Sequence, residues 1–371
     1  MSELPKTCKA MVLVEYGKDD VMQDVAIPEV KEGDILVKVQ LAGICGTDVH
    51  QQLGDLSIKP PTPMIQGHET LGKIVKLNGV TADVAGTPVK EGDRILWAHQ
   101  FCGKCYACKI LQQPYMCSSS KGYGFAPPQA LRGGFAEYVL VTAGTDFVRV
   151  PDSVTDEEAL GVGCAFRTVV NGFSKVNAHG GIPTGGTVVV QGVGPVGLYS
   201  VVMAAQSAAA KVIAVDGVAS RLEFAKKWGA THTINLNEVK DPHERAELVR
   251  SWTNGVGAEL VVECSGFPPA FNEGMDYLAK NGTYLIMGMT SRRTVEICPN
   301  DIMNKQACIL GSGSADIRHF VQALKFIEAH RDKYPFGELI STEYPLEELN
   351  TALHNMLEGK DLKAAIDCRN R

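Results

Sequence analysis

Two short stretches carry the residue types of a metal centre. Cys45-Gly46-Thr47-Asp48-Val49-His50 is answered about two dozen residues later by Gly67-His68-Glu69. A thiolate and an imidazole, each with a carboxylate nearby to brace it, are what a catalytic metal site looks like when its ligands come from separate loops. Two ligands do not make a site. A third candidate is Cys164, in Gly163-Cys164-Ala165-Phe166. Taken alone, such a cysteine is more often a small buried apolar side chain than a ligand.

A second group is denser. Cys102, Cys105, Cys108 and Cys117 place four thiols within sixteen residues, with two-residue gaps that let neighbouring sulfurs converge. That spacing suits a closed tetrahedral zinc site, with free buried cysteines or an iron–sulfur cluster as the alternatives. Four protein sulfurs leave no open position, so such a site braces a lobe and performs no chemistry. Six of the eleven cysteines fall into these two groups and five are left over, so disulfides need not be invoked.

A third pattern concerns phosphate. Thr187 to Gln191 is a continuous run of strand character, and Gly192-Val193-Gly194-Pro195-Val196-Gly197 follows it directly, leading into an apolar helix from Leu198 to Ala210. A second strand, Lys211 to Val215, ends at Asp216, 19 residues past the last glycine. A glycine pattern alone is weak. Between strand and helix, with an acid at that distance, it predicts dinucleotide binding: the backbone approaches a pyrophosphate at the helix N-terminus, and Asp216 accepts from the adenosine ribose.

The elements that must position these residues fall into two textures. From Lys9 to about Ala98 short β-rich runs (Ala10 to Glu15, Ile35 to Leu41, Gly72 to Leu77, Arg94 to Ala98) alternate with turns, which predicts an antiparallel or barrel-like domain. Thr155 to Ala159 opens a helix with acids in its first turn. From Thr187 strands and helices alternate: helix Arg221 to Trp228, strand Thr231 to Asn235, helix Pro242 to Thr253, strand Leu260 to Cys264, helix Pro269 to Leu278, strand Thr283 to Met287, strand Cys308 to Gly311. That is a doubly wound parallel sheet. Beyond it we expect a helix from Ile317 to Ala329, a strand near Leu339 and a helix from Leu346 to Glu358, packed back on the first domain.

Composition sets the outer bounds. The chain has 371 residues, 45% of them hydrophobic, enough for two domains or for one split by an insertion. A net charge of −6 argues against nucleic acid or an anionic membrane as the main partner. Met1 to Lys9 has no apolar signal region, and no window is apolar enough to span a membrane, so a cytoplasmic location is expected.

With both halves in view, the chain resembles the zinc-dependent medium-chain alcohol dehydrogenases over essentially its whole length. The resemblance is carried by the order Cys45-Gly46-Thr47-Asp48, Gly67-His68-Glu69, the four-cysteine lobe, Gly163-Cys164 and the glycine fingerprint. It implies a mainly β GroES-like catalytic domain (1–165), a Rossmann domain inserted after it (166–313) and a C-terminal return to the catalytic domain (314–371). It implies two zinc ions per subunit. The structural ion falls to the four-cysteine lobe, and the catalytic one to Cys45, His68 and Cys164, the two-cysteine, one-histidine set already established for alcohol dehydrogenase. Glu69 then matches the acid that can approach the metal and Asp48 the partner orienting His68.

The implied chemistry is reversible hydride transfer between a primary or secondary alcohol, cyclic and aromatic ones included, and NAD, with the metal acidifying the alcohol. Thr47 resembles the hydroxyl that relays the proton, by way of the cofactor ribose, to His50. Thr168, Val196, Cys264-Ser265 and Met287-Gly288-Met289 match positions around the cofactor, and Arg221 a basic position near the ribose. Asp216 would repel a 2′-phosphate, which favours NAD over NADP. Trp97, Ala98 and His99 stand where relatives line the substrate pocket. A homodimer or homotetramer is the implied assembly.

Two departures stand out. Eight residues separate Cys108 from Cys117 where the family has seven. Polyol and threonine dehydrogenases often carry glutamate as third ligand, whereas this chain has Cys164. A polyol or threonine dehydrogenase, a zinc-free reductase of the superfamily and a non-catalytic NAD-binding relative are the alternatives.

Overall fold

The computed structural model describes residues 4–56, 59–288 and 293–371. The chain forms two compact units, Thr168–Ser314 and Met1–Arg167 with Ala315–Arg371.

The first of these is built on a six-stranded parallel sheet of β8 (Thr187–Gln191), β9 (Lys211–Asp216), β10 (His232–Asn235), β11 (Ala258–Glu263), β12 (Leu278–Ile286) and β13 (Cys308–Gly311). Their spatial order is β10-β9-β8-β11-β12-β13, so the order reverses between β8 and β11. At that switch point the carboxyl ends of neighbouring strands diverge and leave a crevice, where nucleotides bind in this fold. The central strands are β-branched and buried on both faces: every residue of β8 is buried. Val189, Ile213, Val261 and Tyr284 join Val249 and Met275 of the covering helices in one core.

The other unit is mainly β. A hairpin of β1 (Thr7–Val12) and β2 (Val21–Ala26) lies beside a seven-stranded sheet. That sheet is formed by β3 (Ile35–Gly43), β4 (Glu69–Leu77), β5 (Arg94–Trp97), β6 (Tyr138–Val141), β7 (Phe147–Arg149), β14 (Thr342–Pro345) and β15 (Ala364–Asp367). All its pairs are antiparallel except β14 with β15. The C-terminal residues return to it through Ala365↔Gly43 and Ile366↔Ala42. Two register shifts in the β3–β4 pairing bend the sheet.

Several expectations are corrected. The strand expected near Leu339 is a 3-10 turn, Phe336–Leu339, and the strand comes later as β14. Pro335 and Gly337 favour the turn, and Leu339 and Phe336 are apolar because the turn itself is buried. The helix predicted from Leu198 starts earlier, at Pro195, with proline in its first turn, and ends at Ala205. A helix at Ala165–Ala178 was not anticipated. Its apolar residues Phe166, Val169, Val170, Phe173 and Val176 recur at the spacing of one helix face, so its signal is present in the sequence. Among the described residues no helix is long and apolar enough to cross a membrane.

Candidate active site and cofactor cleft

Cys45 caps helix α1 (Gly46–Leu53) in an extended conformation, φ −103° and ψ 157°. Asp48, at the third helical position, is fully buried and joins both metal-ligand stretches. Its Oδ2 accepts the Cys45 amide at 2.9 Å, and its Oδ1 lies 3.2 Å from His68 Nδ1 and accepts the Gly67 amide at 3.3 Å. A carboxylate at Nδ1 places the hydrogen there and leaves His68 Nε2 as the nitrogen available to a metal.

Cys164 arrives from a different direction, at the end of the 3-10 turn Gly161–Gly163. Arg167, 3% exposed, holds that turn: its Nε donates to the Gly163 carbonyl at 2.7 Å, and its guanidinium lies over the Phe320 ring. The result is that ligand atoms of Cys45, His68, Glu69 and Cys164 all lie within 4.8 Å of one another. The hydrogen bond from Cys164, aided by His68, keeps the Cys45 thiol well below its usual range, while the same contact raises Cys164. Two thiols and an imidazole at that separation fit zinc, and no disulfide joins these cysteines.

Glu69 is tied down by a residue that no motif announces. Lys363, 2% exposed and just ahead of β15, forms an ion pair with Glu69 Oε2 and donates to the Ile44 carbonyl at 2.8 Å. Glu69 Oε1 is buried and has no hydrogen-bond partner among the described residues. Burial raises the Glu69 carboxyl despite the lysine. On Lys363 burial acts downward, and the carboxylate outweighs it to hold the ammonium above its usual range.

Thr47 and His50 lie one turn apart on α1 and so share a face. Thr47 Oγ1 is 3.7 Å from Cys45 Sγ. Of the expected pocket residues, Trp97 belongs to the β-domain core and packs edge-on to Tyr123, with ring centroids 5.9 Å apart. His99 accepts the Tyr123 amide at Nδ1 (3.1 Å), and burial, with Arg167 nearby, pushes its pKa down to about 3.

The four-cysteine lobe is a second cluster with all four sulfurs within 4.8 Å. Backbone amides of Lys104 and Cys105 hold the Cys102 thiol down to about 6, and the Cys102 amide donates to Cys117 Sγ at 3.4 Å. Amides turned toward sulfur stabilise thiolate, the form that binds zinc. Between the short helix Tyr106–Lys109 and the turn Pro114–Met116 the loop passes through Gln112 at φ 53°, a left-handed residue in the interval that is one residue longer than the family's.

In the parallel-sheet unit a cleft of about 520 Å³ opens at the switch point, lined by Gly192, Gly194, Asp216, Arg221, Ser265 and Phe267 among others. Asp216 is fastened by two amides: Oδ2 accepts Val193 N–H and Oδ1 accepts Val218 N–H, each at 2.8 Å. Each oxygen keeps a further lone pair for a ribose hydroxyl. Glu263 ties together two of the expected cofactor stretches. Its Oε1 accepts from Ser265 N–H and Gly266 N–H at 2.7 and 2.8 Å, and its carbonyl accepts from Met287 and Gly288 N–H at 2.8 and 2.9 Å. Cys264 is turned inward, 3.6 Å from Ser200 Oγ. Val196 sits in the first turn of the helix at Pro195–Ala205, and Thr168 is buried in the helix Ala165–Ala178. Met289 lies outside the described residues.

Gly197 has a steric reason to be glycine. A Cβ there would stand 1.9 Å from the Gly192 carbonyl oxygen. Gly197→Ala should therefore push the helix N-terminus off the glycine turn. A fluorescence titration with NADH should show cofactor affinity weakened at least about tenfold, equivalent to about 1.4 kcal/mol.

Comparison with known proteins fits this geometry. Residues 195–329 match the zinc-binding dehydrogenase family, and residues 31–152 match the alcohol dehydrogenase GroES-like domain. A zinc-binding dehydrogenase with a GroES-like domain and a Rossmann sheet is thus the class of protein that fold and site define. The chain is 37% identical over 363 residues to 5-exo-hydroxycamphor dehydrogenase of Pseudomonas putida, covering 97% of this chain and 98% of that protein. It is 32% identical over 355 residues to an alcohol dehydrogenase of Moraxella sp. (strain TAE123), covering 95% and 96%. The crystal structure of an alcohol dehydrogenase from Thermotoga maritima superposes with a TM-score of 0.91 at 31% identity, over 97% of this chain and 99% of that one. The chain belongs to the zinc-dependent medium-chain alcohol dehydrogenase family and is an oxidoreductase.

Proposed function

We propose that the protein is an NAD-dependent alcohol dehydrogenase that interconverts a primary or secondary alcohol and its carbonyl compound. Cyclic secondary alcohols are the first class to test, because the relative at 37% identity is named for one. The observation that carries the reading is the convergence of Cys45, His68 and Cys164, with Glu69, inside 4.8 Å. Zinc held there would supply a Lewis acid for the substrate oxygen. The chain's own residues do the rest. Asp48 holds His68 in one tautomer, Thr47 accepts the alcohol proton into a relay, and His50 takes that proton on toward solvent. In the cleft, Gly192, Gly194 and Gly197 let the backbone approach a pyrophosphate, and Asp216 accepts the ribose hydroxyls.

The preference for NAD rests on Asp216, whose anchored carboxylate would face a 2′-phosphate. Absorbance of the reduced cofactor, followed across aliphatic, cyclic, aromatic and polyol substrates with NAD and NADP, tests both readings. NAD should give the higher kcat/KM. Asp216→Ala should lower kcat/KM for NAD by about tenfold or more, since a hydrogen bond to a charged group is worth about 1.5–3 kcal/mol. Preference for NADP in the unaltered enzyme would overturn the assignment. Turnover confined to polyols or threonine would move the enzyme to those branches.

A further inference from the structure

Helix α1 ends in a left-handed turn. Gly54 adopts φ 71° and ψ 25°, its amide bonds to the Gln51 carbonyl at 3.0 Å, and the Asp55 amide reaches back to the His50 carbonyl at 3.1 Å. This closure returns the chain over the last helical turn. The loop beneath it is fixed as well: Gly17 N–H donates to the Gln52 carbonyl at 2.7 Å, and a Cβ on Gly54 would meet Tyr16 Cβ at 2.9 Å.

The same closure that ties the Asp55 backbone to His50 sets the Asp55 carboxylate beside the His50 ring. His50 Nδ1 lies 3.1 Å from both carboxylate oxygens. A carboxylate only accepts, so the nitrogen between its oxygens carries the hydrogen, and Nε2 is left as the basic atom. Both side chains are partly open to solvent, 38% for His50 and 51% for Asp55, which suits a group that passes protons to water.

We propose that Asp55 is the positioning residue of His50, holding its Nδ1–H so that Nε2 receives the proton released from the alcohol. The proposal rests on the reading of His50 as the end of the proton route. The proton that reaches Nε2 makes an imidazolium whose Nδ1–H stays on Asp55. Loss of a proton from Nε2 to water restores the neutral ring in the same tautomer, with no other bond made or broken. Without the carboxylate the neutral ring is free to carry its hydrogen on Nε2, the wrong nitrogen for the task.

Nitrogen-15 NMR of the histidine-labelled, zinc-loaded enzyme reads the tautomer directly. The unaltered protein should show His50 as Nδ1–H, and Asp55→Ala should shift it toward Nε2–H, with Asp55→Glu restoring it. In steady-state assays Asp55→Ala should lower kcat about fivefold, what one exposed charged contact is worth, with KM for NAD unchanged. His50→Ala should lower kcat about a hundredfold, the lower end for a positioned proton acceptor. Asp55→Ala added to His50→Ala should cost nothing more. An unchanged tautomer in Asp55→Ala, or a loss that persists in the His50→Ala background, would overturn the proposal. Wild-type turnover in His50→Ala would instead remove the relay reading and the purpose of Asp55 with it, while the NMR signal would still report the contact itself.

Discussion

Cys45→Ser is expected to lose the catalytic zinc while keeping the structural one, so metal analysis should fall from two zinc ions per chain to one. Alcohol oxidation should drop by on the order of 10³-fold, about 4 kcal/mol of transition-state stabilisation, the scale on which a Lewis acid acts on a developing oxyanion. The size of the effect follows from where Cys45 stands. It supplies one of the two thiolates of the set, which a neutral serine hydroxyl does not replace, while its backbone amide stays on Asp48 and leaves His68 oriented. Serine keeps the cap, and the fold should survive, which circular dichroism can verify. Full activity in this variant, or active protein without zinc, would reject the metal mechanism.

Lys363→Met is expected to destabilise the protein by about 3–5 kcal/mol, the usual consequence of stripping one partner from a buried ion pair. Glu69 would then keep a buried carboxylate with neither oxygen satisfied, because Oε1 already lacks a partner among the described residues and Oε2 depends on the lysine. Urea unfolding measures the loss. Adding Glu69→Gln should recover much of it by removing the uncompensated charge, and a double variant no more stable than Lys363→Met would show that the lysine acts through packing alone. Turnover should fall in both variants, since Glu69 is within reach of the other ligand atoms.

Much of the ligand chemistry could be read directly from short-range pattern. Cys45, His68 and the four-cysteine lobe are marked by residue types that do chemistry, set at spacings a loop can close. The glycine fingerprint is marked by its place between a buried strand and a helix. The parallel sheet was equally plain, because strands buried on both faces are continuous apolar runs broken by amphipathic helices, a signal local to each segment. The helix at Ala165–Ala178 carries a legible signal, Phe166, Val169, Val170, Phe173 and Val176 at helical spacing, which an expectation built on Gly163-Cys164 alone passes over. The 3-10 turn at Phe336–Leu339 reads as a strand in sequence because its buried Phe336 and Leu339 are as apolar as strand residues.

What the sequence determined by itself was therefore the set of groups able to bind zinc and a dinucleotide, along with the architecture that carries them. The folded structure alone decided which residues, near or far in the chain, hold those groups in place. Lys363 is 294 positions from Glu69 in the chain and meets it because β15 pairs with β3. Arg167 secures the turn that presents Cys164, and Glu263 joins the loops after β11 and β12. Asp55 reaches His50 only through the left-handed closure of α1. Arg167 and Asp55 lie within five residues of the groups they serve, yet no pattern of residue types announces their contacts. Their pairing is a matter of which buried charges and amides the fold leaves facing one another, and an ion or polar atom taken out of water must find its partner there.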